Sequence, residues 1–345
     1  MKGTIVFLLI FLAAVTASFA SVQEPHSVSI GTFSTFFPKI ETIKKELKPD
    51  AVAFVGDIML ARRVETYLDT YGGSYVYSGL PNLGTSTLLV GNFEASIPAE
   101  HTQTLDQVLN FSVDAEYIPA LAEYGFSYVS LANNHSYDKG SDGFLNTQSV
   151  LTQNDVYPFG NPQKLGTSSI VYIELENMTV ALVGVYAVVQ QPSHEEIQVV
   201  LNIASAESDL QVVYIHWGLE YEPEHSKAQE TLAHTMIDLG ADAVIGHHPH
   251  VVQDIELYQG VPIFYSLGNF IFDQYFSKEV QEGLWVTLSN TEGNINYILQ
   301  GVSTIGSRSA PRFMSGYEND LFLQDIAKKS SPELQDMILD GKIVY

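Results

Sequence analysis

The chain has 345 residues, 46% of them hydrophobic and 11% aromatic, enough for one large core or two small ones. It has no cysteine, so disulfides and thiolate metal sites are excluded, and any metal must be held by His, Asp, Glu or Asn. The formal net charge is −24, and between Val64 and Ser277 only Lys139, Lys164 and Lys227 are basic against twenty-six acidic residues, a balance that repels nucleic acid and anionic membrane surfaces.

Such a charge also serves solubility alone. It disfavours a polyanionic partner unless bound cations reverse the local field. The N-terminus has Lys2, an apolar run over residues 5–15 and small residues at Ser18 and Ala20. This pattern predicts a secretory signal peptide over residues 1–20, cut after Ala20. The apolar run is shorter than the roughly 20 residues a spanning helix needs, so no membrane span is expected in the mature chain. Residues 21–50 read as a lead-in segment, with a short amphipathic helix over 36–47.

Residues 51–55 form an apolar run that ends in Gly56-Asp57, the mark of a buried parallel strand. Arg62 and Arg63 open a helix to about Thr70. A second buried strand, 86–90, runs into Gly91-Asn92-Phe93-Glu94. Asp114 caps a helix that Gly125 stops. The strand over 126–131 delivers Asn133, Asn134, His135 and Asp138, and a helix follows over 142–153. Residues 170–175 and 179–185 pair as a hairpin. A helix over 197–209 leads to a strand, 211–215, that ends in His216-Trp217-Gly218. Ala228, Leu232, Met236 and Leu239 keep helical spacing, and Gly240 closes that helix. The strand over 243–245 ends in Gly246 and then places His247, His248 and His250 within four positions, with Pro249 stiffening the turn. A strand over 261–266 leads to Asn269, and residues 284–289 and 296–302 form a last hairpin. One helix, 332–339, is expected in a polar tail, 305–345. Strands that alternate with helices argue an α/β fold, with one main domain over 51–304.

Five strand-like runs thus end in metal-ligating residue types: Asp57; Asn92 and Glu94; Asn134 and His135; His216; His248 and His250. In α/β sheets, ligands gather outside the carboxyl ends of strands. Neutral imidazole with carboxylate suits divalent Mn, Zn or Fe. One or two such ions would lower the pKa of a water for attack on an ester or amide.

The motifs Gly-Asp-Ile-Met-Leu, Gly-Asn-Phe-Glu, Asn-Asn-His-Ser-Tyr-Asp, His-Trp-Gly, Gly-His-His-Pro-His-Val and Ser-Leu-Gly-Asn-Phe resemble, in this order, the calcineurin-like metallophosphoesterase superfamily. More closely, they resemble the bacterial capsule-synthesis CapA family, the poly-γ-glutamate capsule proteins. The resemblance implies a four-layer α/β/β/α sandwich, two mixed sheets flanked by helices. It implies that Asp57 is the first metal ligand, and that Asn134 and His135 contact a second metal and a phosphoryl oxygen. His216, His248 and His250 follow as ligands, with His247 the variable position. Met59 stands where the superfamily has a His, and Asn92 where it has a bridging aspartate. Glu94 is then a replacement ligand, a general base or an orienting partner. His135, Glu94 and Asn134 are the candidate catalytic residues.

Alternatives stay open at several positions. Asp57 could simply cap a helix. Arg62 either grips an anionic substrate or pairs with an acid. Trp217 either stacks on substrate or packs, and Asn269 either serves the site or a turn. Glu220 and His225 read as rim residues, and His26, His101, His194 and His234 as surface or core histidines. The function implied is an exported metal-dependent hydrolase acting on a phosphoester or a γ-glutamyl amide in an anionic surface polymer. The rival is a non-catalytic polymer-binding or scaffolding subunit of an envelope complex.

Overall fold

The computed structural model describes residues 48–344. The expected signal peptide and the helix over 36–47 lie outside the described residues. In chain order the elements are β1 (Ala51–Ile58), α1 (Arg62–Tyr71), β2 (Thr87–Phe93), α2 (Ile118–Tyr124), β3 (Phe126–Ser130), α3 (Gly140–Gln153), β4 (Tyr157–Phe159), β5 (Ile170–Glu174), β6 (Thr179–Tyr186), α4 (His194–Ser205), β7 (Leu210–His216), α5 (Lys227–Asp238), β8 (Ala243–His247), β9 (Ile255–Tyr258), β10 (Val261–Phe264), β11 (Asn269–Ile271), β12 (Glu282–Thr291), β13 (Asn294–Ser303), β14 (Arg312–Phe313), α6 (Gly316–Lys329), α7 (Gln335–Leu339) and β15 (Lys342–Val344).

Among these residues two mixed sheets form. The first has the order β14-β13-β12-β1-β2-β3-β4, with β11 added beside β1 and β15 beside β13. The second has the order β5-β6-β7-β8-β10-β9. Strands β1 to β4 run parallel, as do β6, β7, β8 and β10, while the hairpins supply the antiparallel members.

Side-chain alternation builds the layers. In β1, Val52 and Phe54 enter a core shared with Leu182, Val212, Tyr214 and Ile245 of the second sheet. Ala53 and Val55 point the other way, to a core with Val64 and Leu68 of α1, Leu121 of α2 and Leu151 of α3. On the far side of the second sheet, Val183, Val213 and Val244 meet Ile197 and Leu201 of α4 and Leu232 and Met236 of α5. The result is helices, sheet, sheet, helices: the four-layer sandwich. Because both faces of the central strands are covered, they read as continuous apolar runs. Helices α4 and α5 each open on a capping box, Ser193 with Glu196 and Ser226 with Gln229.

Three features differ from the sequence reading. The helix expected from Asp114 opens as a 3-10 turn, Ala115–Tyr117, and becomes α-helical only at Ile118. Strands β4, β9 and β11 have three or four residues, too short to show a period. The segment after Thr304, read as a polar tail with one helix, also carries α6 and two strands of the first sheet. Phe322, Leu323 and Ile326 of α6 join the core between the sheets. Among the described residues no helix is long and apolar enough to cross a membrane.

If α6 is part of the core, Leu323→Ala, at a position 2% exposed, costs about 2–5 kcal/mol of stability in urea unfolding of the full chain. A cost below about 0.5 kcal/mol, the range of surface changes, would mark the segment as an appendage.

Candidate metal centre

Two close backbone approaches bring the strand ends together. A Cβ on Gly56 would lie 2.0 Å from the Gly268 carbonyl oxygen, and one on Gly246 would lie 2.0 Å from that of Tyr265. Only glycine fits at either place, and each stands beside a site residue, Asp57 and His247. The first approach lets β11 pair with β1, so that Asn269 sits opposite Asp57. After β8 the chain turns with positive φ at His248 (98°) and His250 (59°), on either side of Pro249. Such backbone costs on the order of 1–3 kcal/mol per residue and persists where the surroundings enforce it. Both side chains are buried at the centre.

Asp57, Glu94, His216, His247, His248 and His250 are all buried. Asp57 Oδ2 lies 3.2 Å from His250 Nδ1 and accepts from the His248 backbone N–H at 3.3 Å, while Oδ1 lies 3.4 Å from His247 Nδ1. Glu94 Oε1 is 3.9 Å from Nε2 of three histidines, His135, His216 and His250. That oxygen has no hydrogen-bond partner, nor do His248 Nδ1 and His247 Nε2. Buried orphan atoms each cost about 1–3 kcal/mol, and ligation of a cation would remove that cost. Three sets of donors each lie within 4.8 Å of one another: Glu94, His216 and His248; Asp57, Glu94 and His250; Glu220, His248 and His250. The mixed imidazole and carboxylate donors fit a divalent Mn, Fe or Zn ion.

The electrostatics follow from burial and from these neighbours. Burial alone would raise the Asp57 pKa, but the adjacent His247 and His250 hold it well below the usual range. Glu94 goes the other way: burial and the Asp57 charge push it well above. Burial and repulsion from His248 lower His216 well below its ordinary value, and burial and His250 bring His248 down to about 4. His250 rises to about 9, since Glu94 and Asp57 outweigh its burial.

Asn92, which stands where the superfamily has a bridging aspartate, turns its amide nitrogen and not its oxygen toward the cluster. Its neighbour Asn133 fixes its orientation. Asn133 Nδ2 donates to the Phe93 carbonyl, and Asn133 Oδ1 accepts from the His135 N–H and the Ser136 hydroxyl. The same Asn133 Nδ2 donates to Asn92 Oδ1 at 3.0 Å. The Asn92 oxygen is thereby occupied, and its Nδ2 faces Asp57 Oδ1 at 2.8 Å, His216 Nδ1 at 3.2 Å and Glu94 Oε2 at 3.4 Å. An amide N–H donates and has no lone pair for a metal. Met59 also turns away, into the helix-side core, where its sulfur accepts the Ala61 N–H.

Asn134 Oδ1 contacts His216 Nε2 at 2.7 Å, and His135 Nδ1 contacts Asp138 Oδ2 at 2.7 Å while its ring stacks on Phe111. A carboxylate on the far nitrogen is the usual device that aims a ligating or proton-carrying imidazole.

The three expected substrate contacts have other partners. Trp217 is 1% exposed, stacks on Tyr265 and donates to its carbonyl, on the helix side of the second sheet. It offers no face to a substrate. Asn269 is buried and spends its amide on His250, Gln274 and the Val280 carbonyl, so it positions His250. Arg62 pairs with buried Asp273, its guanidinium over the Phe111 and Phe272 rings. His101 and His234 pair with Glu65 and Glu256, and His225 with Asp254, all away from the cluster. Sequence reasoning underrated His247, Asn133 and Glu220. The first two sit within quoted motifs, and Glu220 is four residues past His216, so proximity in the chain was the available signal.

Replacing the donor amide at position 92 by a carboxylate would place three acids together. Without metal, Asn92→Asp is expected to lose about 1–3 kcal/mol, recovered when Mn2+ is added, as read from urea midpoints with chelator and with Mn2+. An unchanged midpoint in chelator would contradict the placement of the Asn92 amide.

The family model described as bacterial capsule synthesis protein PGA_cap matches residues 51–274. That span contains every residue of the cluster, from Asp57 to Asn269. The capsule biosynthesis protein CapA of Bacillus anthracis is 34% identical over 255 residues, covering 68% of this chain and 62% of that protein. The PGA biosynthesis protein CapA of Bacillus subtilis is 27% identical over 325 residues, covering 89% of this chain and 84% of that one. A probable polyglutamine synthesis accessory protein of Mycobacterium tuberculosis is 25% identical over 221 residues, with 56% and 57% covered. Among solved structures, a novel phosphatase from Mycoplasma pneumoniae aligns over 78% of this chain and 92% of its own at 12% identity, with a TM-score of 0.43. The motif order and the family match together place the chain in the bacterial capsule synthesis protein family PGA_cap.

Proposed function

We propose that this is an exported, metal-dependent hydrolase of surface-polymer synthesis, which cleaves a phosphoester or a γ-glutamyl amide. One observation carries the reading: a buried, unpartnered carboxylate oxygen, Glu94 Oε1, stands 3.9 Å from the Nε2 atoms of His135, His216 and His250. Asp57, Glu94, His216, His248 and His250 would supply the donors, in the overlapping sets Glu94-His216-His248 and Asp57-Glu94-His250. When bound, a divalent Mn, Zn or Fe ion there would polarise a phosphoryl or acyl oxygen and lower the pKa of a water.

The chain's own residues have distinct tasks. His135, 14% exposed at its side chain, reaches the mouth of the cluster, and Asp138 fixes its Nδ1. Its Nε2 is therefore the atom that carries a proton to or from a substrate. Glu94, with no exposure, faces only the interior of the cluster and cannot serve as a solvent-facing base. Asn134 and Asn269 set the rings of His216 and His250. A bound cation also addresses the charge problem, since a chain of net charge −24 would otherwise repel an anionic polymer. The N-terminal pattern of Lys2, an apolar run and Ala20 supports export. The names of the Bacillus relatives support capsule or poly-γ-glutamate synthesis as the setting.

The second reading, a polymer-binding subunit of an envelope complex, draws on Asn92 and Met59, which withhold two of the superfamily's ligands. Metal content and turnover separate the two. The hydrolase reading expects purified protein to hold near-stoichiometric metal and to turn over bis-p-nitrophenyl phosphate or γ-glutamyl oligomers. A chelator should abolish that turnover, and His248→Ala should lower it roughly 100-fold or more, since even partners outside the ligand set cost 10–100-fold. Polymer binding with neither metal nor turnover would leave the binding subunit as the account.

A further inference from the structure

The third donor set, Glu220 with His248 and His250, differs from the other two. Glu220 is exposed, and it belongs to the loop between β7 and α5 rather than to a strand end. Three ties place that loop. At its start, Trp217 is sunk in the helix-side core and its backbone N–H donates to the His247 carbonyl at 3.1 Å. Gly218 follows with φ of 85°, where a Cβ would lie 2.8 Å from the Gln229 side chain. Next to Glu220, Tyr221 has φ of 67°, and its N–H donates to the Pro249 carbonyl at 2.8 Å. The Tyr221 hydroxyl accepts from Gln274, and its ring lies 6.1 Å from that of His250. Glu220 is thus pinned directly to the His-Pro-His turn that it faces. On that turn, His248 is 5% exposed and its Nδ1 has no partner.

We infer that Glu220 completes an outer cation site with His248 and His250, at the mouth of the centre. It takes up the ligand duty that Met59 and Asn92 do not perform, and it does so from the solvent side. The inference rests on the reading of the inner cluster as a metal centre. Two consequences follow from burial. The inner donors, Glu94 with His216 and Asp57, sit in a water-poor interior where a cation is held strongly. The outer site includes an exposed carboxylate that water competes for, so its ion binds more weakly and exchanges with solvent. An ion there would also face an incoming phosphoryl or carboxylate group before it reached the interior, which suits an anionic substrate.

The test uses metal-free full-chain protein titrated with Mn2+ alone, with free ion followed by electron paramagnetic resonance. Wild type is expected to show two classes of bound Mn2+, one tight and one weaker. Glu220→Gln should weaken only the weaker class, by roughly 10- to 100-fold or more. Glu222→Gln, an equal charge change two residues along the same loop, should leave both classes in place. This control separates ligation from the general attraction of an acidic surface. Because Glu220 is exposed, its substitution leaves the fold intact, which unfolding midpoints would verify. Two classes retained in Glu220→Gln, a single class in wild type, or equal losses in both variants would overturn the inference while the inner centre stood. Absence of any bound Mn2+ in wild type would overturn both the inference and the metal-centre reading.

Discussion

Two carboxylates and four imidazoles are buried where the two sheets meet, and the sandwich depends on how their charge is neutralised. Unpaired ions in such a place are prohibitively costly. The chain meets this in part by pairing Asp57 with His247 and His250, and by supplying the Asn92 amide as a neutral donor. Within this cluster, Glu94 Oε1, His247 Nε2 and His248 Nδ1 have no hydrogen-bond partner. Ligation of a cation would remove the cost of leaving such atoms buried without a partner.

Around that centre, the remaining polar side chains form a support. Asn133 orients Asn92, Asp138 orients His135, and Asn269 orients His250. Each supporting residue lies at the end of a parallel strand or in the loop just after it, so the geometry of the sheets sets the geometry of the rings. The strained backbone at His248 and His250 is held by the same packing. The centre is asymmetric. Its interior face is closed by Tyr214, whose ring packs 4.2 Å from that of His247, and its open face is bordered by Glu220 and Tyr221.

Much of this was legible in the sequence because the central strands are apolar runs that stop at polar residues. The apolar runs 51–55 and 211–215 announce both the strand and the polar residue, Asp57 or His216, that follows it. The His-Pro-His turn was visible for the same reason. What the sequence hid depends on contacts distant in the chain. Whether Asn92 offers oxygen or nitrogen is decided by Asn133, forty-one residues later. Whether Trp217 stacks on substrate or packs stays open in the sequence because its neighbour His216 faces the site, yet strand alternation sends adjacent side chains to opposite faces. Asn269 reads as a site residue or a turn residue in the sequence, and the pairing of β11 with β1 is what sets it beside Asp57. Glu220 reads as a solvated loop acid until Tyr221 is found bonded to Pro249.

The central claim is that the buried cluster holds a divalent ion, and anomalous diffraction from crystals grown with Mn2+ addresses it most directly. The account predicts a strong anomalous peak in contact with Glu94 and with Nε2 of His216 or His250, between the carboxyl ends of β2, β7 and β8. A featureless anomalous map at that place, with Mn2+ found only among surface acids, would contradict it.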